Sequence, residues 1–130
     1  MGTYTRKQLV YDMSYEYSEE QLFSEFSNIS VFKLDLNGCK FFEKGIFDGI
    51  ISITYMDILS GSCPIVKLDS DLLKDQVNLG ILFLPKYVTD IGRGFFDNLK
   101  RLRELSVNKI CYEEFMRSGL KNVNVKIYDE

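Results

Sequence analysis

The chain has 130 residues, 45% of them apolar and 27% charged, with ten Phe and eight Tyr to fill a core in the absence of Trp. That is enough for one globular core and too little for two. The net charge of −3 lacks the basic excess of a general nucleic-acid binder, and no apolar run reaches the length that spans a bilayer.

The N-terminal stretch "MGTYTRKQLVYDMSYEY" has no apolar core of a signal peptide. Arg6 stands where a myristoylation signal places Ser or Thr. Residues 4–17 alternate, with Leu9, Tyr11, Met13, Tyr15 and Tyr17 on one face and Val10, Asp12, Ser14 and Glu16 on the other, which predicts a strand or hairpin. Ser18 with Gln21 forms a capping box, so a short helix is expected from Ser18, burying Leu22, Phe23 and Phe26. Residues 1–28 together read as an N-terminal cap.

From there the chain repeats itself. Residues 39–58 ("CKFFEKGIFDGIISITYMDI") align with residues 88–107 ("VTDIGRGFFDNLKRLRELSV") at a shift of 49 without a gap. Gly45 falls on Gly94, Phe47 on Phe96 and Asp48 on Asp97, and Phe42/Ile91, Ile50/Leu99, Ile53/Leu102, Met56/Leu105 and Ile58/Val107 are apolar in both copies. A tail of the form apolar-x-x-apolar-x-apolar recurs at Val31/Leu34/Leu36, Ile53/Met56/Ile58, Leu79/Leu82/Leu84, Leu102/Leu105/Val107 and Leu120/Val123/Val125. Its first members are 22, 26, 23 and 18 residues apart, near the period of leucine-rich repeats, about 20–29 residues. Alternating residues of each tail would face one side of a short strand, and stacking the units would join those faces into one core. Phe47, Leu73 and Phe96 would plug that core from the convex side. Gly45, Gly92 and Gly94 would turn the chain.

The stretch "LPKYVTDIGRGFFDNLKRLRELSV" resembles a BspA-type leucine-rich repeat, through Leu84, Pro85, Val88, Ile91, Gly92, Phe96, Leu102, Leu105 and Val107. The resemblance is weaker over 39–58 and faintest over Ile65, Leu68, Leu73, Leu79, Leu82 and Leu84, and covers about residues 29–127. It implies an α/β solenoid: a short parallel sheet with short helices or turns on the convex side. Residues 29–130 would form an array of about five units, continuous with the cap. The chain departs from the family in its shortness, its lack of a signal and its clipped final unit.

Little in the sequence points to catalysis. The chain has no His, so Ser–His and Cys–His nucleophile pairs are excluded. No phosphate-loop motif is present. Cys39, Cys63 and Cys111 lie far apart with no CxxC pair, as expected of three reduced core thiols in a cytoplasmic protein. The acidic pairs Glu19/Glu20, Asp69/Asp71 and Glu113/Glu114 read as solvated. The basic cluster around "KRLRE" at 100–104 reads as a solvated convex face. No cofactor and no metal site is expected, and the chain is read as a non-enzyme.

The strand positions that point away from the core offer a better site. Unit by unit they are Lys33, Asp35 and Asn37; Tyr55, Asp57 and Leu59; Ile81, Phe83 and Pro85; Glu104, Ser106 and Asn108; Asn122, Asn124 and Lys126. Tyr55, Leu59, Ile81 and Phe83 would form an apolar patch on this open face, rimmed by Asp57, Glu104 and Ser106, and such patches mark interaction sites. The expected function is binding of a protein partner through that patch, with nucleic acid and membrane ranked below. Two other readings remain: a small cytoplasmic inhibitor or adaptor of a host effector, of phage or parasite type, and a homodimerising structural protein.

Overall fold

In the computed structural model the described residues are 8–12, 31–35, 45, 47–58 and 65–128, the first two stretches as backbone only. They form a mixed α/β structure built on a parallel sheet. Six strands lie side by side in chain order: β1 (Gln8–Asp12), β2 (Val31–Asp35), β3 (Tyr55–Asp57), β5 (Ile81–Phe83), β7 (Glu104–Val107) and β8 (Asn124–Ile127). Two shorter strands, β4 (Lys67–Leu68) and β6 (Asp90–Ile91), fall within the connections and pair in parallel as a second sheet.

One register row of the main sheet is Leu9, Phe32, Met56, Leu82, Leu105 and Val125. Met56, Leu82 and Leu105 are buried, while their neighbours Tyr55, Asp57, Ile81 and Phe83 are only partly so. The alternation read from the sequence is therefore the alternation of the sheet. Leu9 pairs with Phe32 in the row that continues to the buried Met56, and β1 joins the sheet as a parallel strand beside β2. The expected helix from Ser18 lies outside the described residues, as do Cys39, Cys63 and Leu59.

The connections are tight turns with i→i+3 backbone bonds. Asp48, Lys74 and Asp97 donate to Gly45, Asp71 and Gly94, and Ile50, Gln76 and Leu99 donate to Phe47, Leu73 and Phe96. Phe47, Leu73 and Phe96 are buried, as their position in the tail pattern predicts. Side-chain amides tie each turn to the one before it. Asn78 donates to the Ile51 carbonyl at 2.8 Å, Asn98 to that of Lys74 at 3.2 Å, and Gln76 to those of Phe47 and Ile50 at 3.1 and 2.7 Å. The two Gln76 bonds are buried, and through them the carbonyl of Ile50 gains a donor in the interior.

Two register expectations need correction. Val125, not Val123, aligns with Leu105, and Phe32, not Leu34, aligns with Met56. Each error is two residues. Phe32/Leu34/Leu36 and Val123/Val125/Ile127 alternate, so a shift of two keeps the same face and the pattern cannot detect it.

A helix, α1 (Lys109–Arg117), follows β7. It buries Cys111, Glu114 and Phe115, the i, i+3 and i+4 positions of one face. Phe115 meets the Phe96 ring edge-on at 5.5 Å. Glu114 is buried rather than solvated as its sequence context implies: one carboxylate oxygen accepts the Gly94 N–H at 3.0 Å and the other meets Arg117 at 3.3 Å. Glu113 is exposed, as expected.

Asn108 fixes the start of this helix from both ends of its amide. Its oxygen caps the helix by accepting the Cys111 N–H at 2.9 Å, and its nitrogen donates to the carbonyls of Lys86 and Val88 at 3.1 and 2.7 Å. A cap is worth about 1 kcal/mol and each further bond about 1 kcal/mol. Asn108→Ala is thus expected to cost about 2–3 kcal/mol, lowering the thermal midpoint by about 10 °C. Asn108→Asp keeps the cap but aims a carboxylate at two carbonyls, so thermal unfolding of both variants should rank it no better than alanine.

Candidate binding face

The face of the sheet opposite the core carries two register rows across β3, β5, β7 and β8. One runs Tyr55, Ile81, Glu104, Asn124 and the other Asp57, Phe83, Ser106, Lys126. Parallel strands lie about 4.8 Å apart, so each row brings residues 20–26 positions distant in the chain into lateral contact. Leu82 and Leu84 are fully buried, and Ile81 and Phe83, which alternate with them, are half-buried on the opposite side. A slip of one residue in the all-apolar run 81–84 would have reversed this.

Tyr55 and Phe83 touch diagonally, their ring centroids 5.8 Å apart and their planes tilted by 49°. Asp57 is half-buried beside Phe83 and Glu104 is exposed beside Ile81. The Tyr55 hydroxyl is held above its ordinary pKa by burial first and then by the negative charges of Asp57 and Glu104. Ser106 occupies its expected row but is only 8% exposed, so it is floor rather than rim. Leu59 lies outside the described residues.

Tyr128 belongs to this face and was not singled out from the sequence. Its hydroxyl sits against the carbonyl oxygens of Leu84 and Ser106, at 2.9 and 3.0 Å, reaching back over β7 to the end of β5. Burial, then the charges of Asp57 and Cys111, push its pKa up. The signal was present: Asn124, Lys126 and Tyr128 share parity, so the ring had to fall on the open side. Asp57 is consequently close enough to bias both tyrosines, one on each side of Phe83.

Cys111 is buried beneath α1, and burial pushes its thiol up to about 12. It is protonated at neutral pH and a poor nucleophile. Among the described residues no cluster of metal-binding side chains occurs and no helix is long and apolar enough to cross a membrane. The chain matches no protein-family model and no curated protein.

Proposed function

We propose that this chain is a short leucine-rich-repeat solenoid of BspA-like type, acting in the cytoplasm as a non-enzymatic module that binds a protein partner through the open face of its sheet. The binding centre is Tyr55, Ile81 and Phe83, with Asp57 and Glu104 as its polar edge and Tyr128 as a wall.

The repeat reading is supported by two sets of offsets that agree. Successive strands align Tyr55 with Ile81 and Ile81 with Glu104, offsets of 26 and 23 residues. The paired turn bonds shift by the same 26 and 23, from Asp48 to Lys74 to Asp97 and from Ile50 to Gln76 to Leu99. Strand and turn recurring in step is what a stack of like units requires.

The observation that carries the binding reading is the half-buried Tyr55–Phe83 pair with Ile81, beside the polar open-face positions of β7 and β8. Core packing does not call for large apolar groups on that side, because Leu82, Leu84 and Met56 already fill the other. Phe83→Asp is expected to abolish capture of a partner while circular dichroism and the thermal midpoint stay near those of the parent. Phe83→Ala should weaken capture without introducing a charge. Normal binding by both variants, or unfolding of both, would refute the reading.

A further inference from the structure

We infer that β8 accepts one more strand onto the main sheet: an extended segment of a partner polypeptide in which two apolar residues flank an acidic one. This site is the edge of the sheet, separate from its open face.

The hydrogen-bond phase of β8 carries the inference. In a parallel sheet the N–H and C=O of one residue point to the same neighbouring strand, and successive residues point to opposite sides. Asn124, at the start of β8, and Tyr128, just after it, donate to the carbonyls of Arg103 and Val107, both at 2.8 Å. The even-numbered residues therefore bond to β7, and Val125 and Ile127 aim their N–H and C=O groups off the edge. β8 is the last strand in the sheet order, and among the described residues no hydrogen bond reaches those groups. Such a row of main-chain donors and acceptors is a template for strand addition.

The side chains define what the added strand carries. Val125 and Ile127 end two rows of the core face, beside Leu105 and Val107. Exposure is 1% at Leu105 and 0% at Val107 but 41% at Ile127, and Val125, Val123 and Leu120 are only partly buried. The core is open at this end, and apolar residues two apart on an added strand would close it. The residue between them falls beside Lys126, on the other face. Lys121 and Lys126 are the charged residues of 118–128, both exposed and neither in an ion pair among the described residues. An acid beside Lys126 gains an opposite-charge pair across the strands. A second copy of the chain is the poorer occupant. Antiparallel pairing of two β8 strands that uses both Val125 and Ile127 sets Lys126 against Lys126, and like charges directly opposed are destabilising.

The test selects a random peptide display library on the full chain. The synthesised winners are titrated by fluorescence anisotropy, and amide hydrogen exchange of the isotope-labelled protein locates them. The expected result is a class of winners, with an acid between two apolar residues, that slows exchange at Val125 and Ile127. Their affinity should fall about tenfold or more in Ile127→Pro and in Lys126→Glu, and stay unchanged in Phe83→Asp. Proline at 127 removes an N–H that β7 does not use, so the ladder is kept. The exposed Lys126 keeps the test sound if Ile127→Pro disturbs folding. Winners that protect both amides but lack an acid and ignore Lys126→Glu would overturn the acidic requirement alone. Dimerisation seen by light scattering and lost in Ile127→Pro would assign the edge to a second copy and overturn the choice of occupant. Absence of any winner that protects Val125 and Ile127 would overturn the edge site, and leave the open-face reading to stand or fall on Phe83→Asp.

Discussion

Gly92→Ala is expected to destabilise the protein by about 3 kcal/mol or more, lowering the thermal midpoint by about 10 °C. The cause is space rather than backbone angle. A Cβ at Gly92 would stand 2.3 Å from the Ser70 backbone nitrogen and 2.6 Å from its Cα. Both are main-chain atoms that cannot swing aside. They are held where they are by the parallel pairing of β4 with β6 and by the Gly92 N–H bond to the Leu68 carbonyl at 2.8 Å. Accommodating a methyl group there means separating the two short strands and losing that bond. Gly119→Ala is the natural comparison. Gly119 has φ of +74° with nothing near its hypothetical Cβ, so alanine incurs left-handed strain alone, about 1 kcal/mol. Parallel urea titrations of the two variants should separate them clearly. Equal, mild effects would mean that the approach of Ser70 to Gly92 is not a constraint.

Gly92 also marks a limit of what the sequence discloses. A glycine between two apolar repeats reads as a turn residue, and for Gly45 and Gly94 that is correct, with φ of +80° and +85°. Gly92 instead serves a contact between chain segments more than twenty residues apart, which no local pattern encodes. The buried rows behave differently. Met56 and Leu105 announce themselves because period-two alternation is a local property of a strand with one wet face. The faces of Met56 and Leu105 were therefore readable, whereas in the all-apolar 81–84 run period could not decide the parity, and the pairing of β5 with β3 and β7 settles it. Register at the outer strands was not readable, because a two-residue slip changes no face. Helix α1 was passed over because its buried residues, Cys111, Glu114 and Phe115, include a carboxylate whose partner, the Gly94 N–H, lies on another turn. In the candidate site Tyr55 follows from parity, whereas Ile81 and Phe83 lie in an all-apolar run where a slip of one would exchange them for Leu82 and Leu84. The shelter over Ser106 does not follow from parity either, since it depends on how far the Tyr128 side chain reaches.

Gln76→Glu should be among the most damaging single-atom changes available to this fold, and its effect should depend on pH. The Gln76 side chain is fully buried, and its nitrogen supplies donors to two main-chain carbonyls of the preceding turn, Phe47 and Ile50. Its oxygen has no hydrogen-bond partner, so the site is built around donation. Exchanging the amide for a carboxylate removes both N–H groups and sets a negative oxygen against two carbonyl oxygens in a dry interior. A buried group left in that state costs about 3 kcal/mol or more. Burial and the facing carbonyls must raise the folded-state pKa of the introduced acid above its unfolded value of about 4.3. A proton held more tightly by the folded state stabilises it below the unfolded pKa, and that stabilisation is lost as pH rises through the folded pKa. The protonated acid can also restore one donor, to the Ile50 carbonyl. The deficit relative to the parent, measured by urea unfolding, should therefore be smallest near pH 4 and grow toward pH 7, by about 1.4 kcal/mol for each unit of pKa elevation. Gln76→Leu removes the same donors without a titrating group, so its deficit should be flat across that range. A flat profile for Gln76→Glu as well would show that the carboxylate escapes to solvent, and that the amide of Gln76 is not the clasp between these two turns.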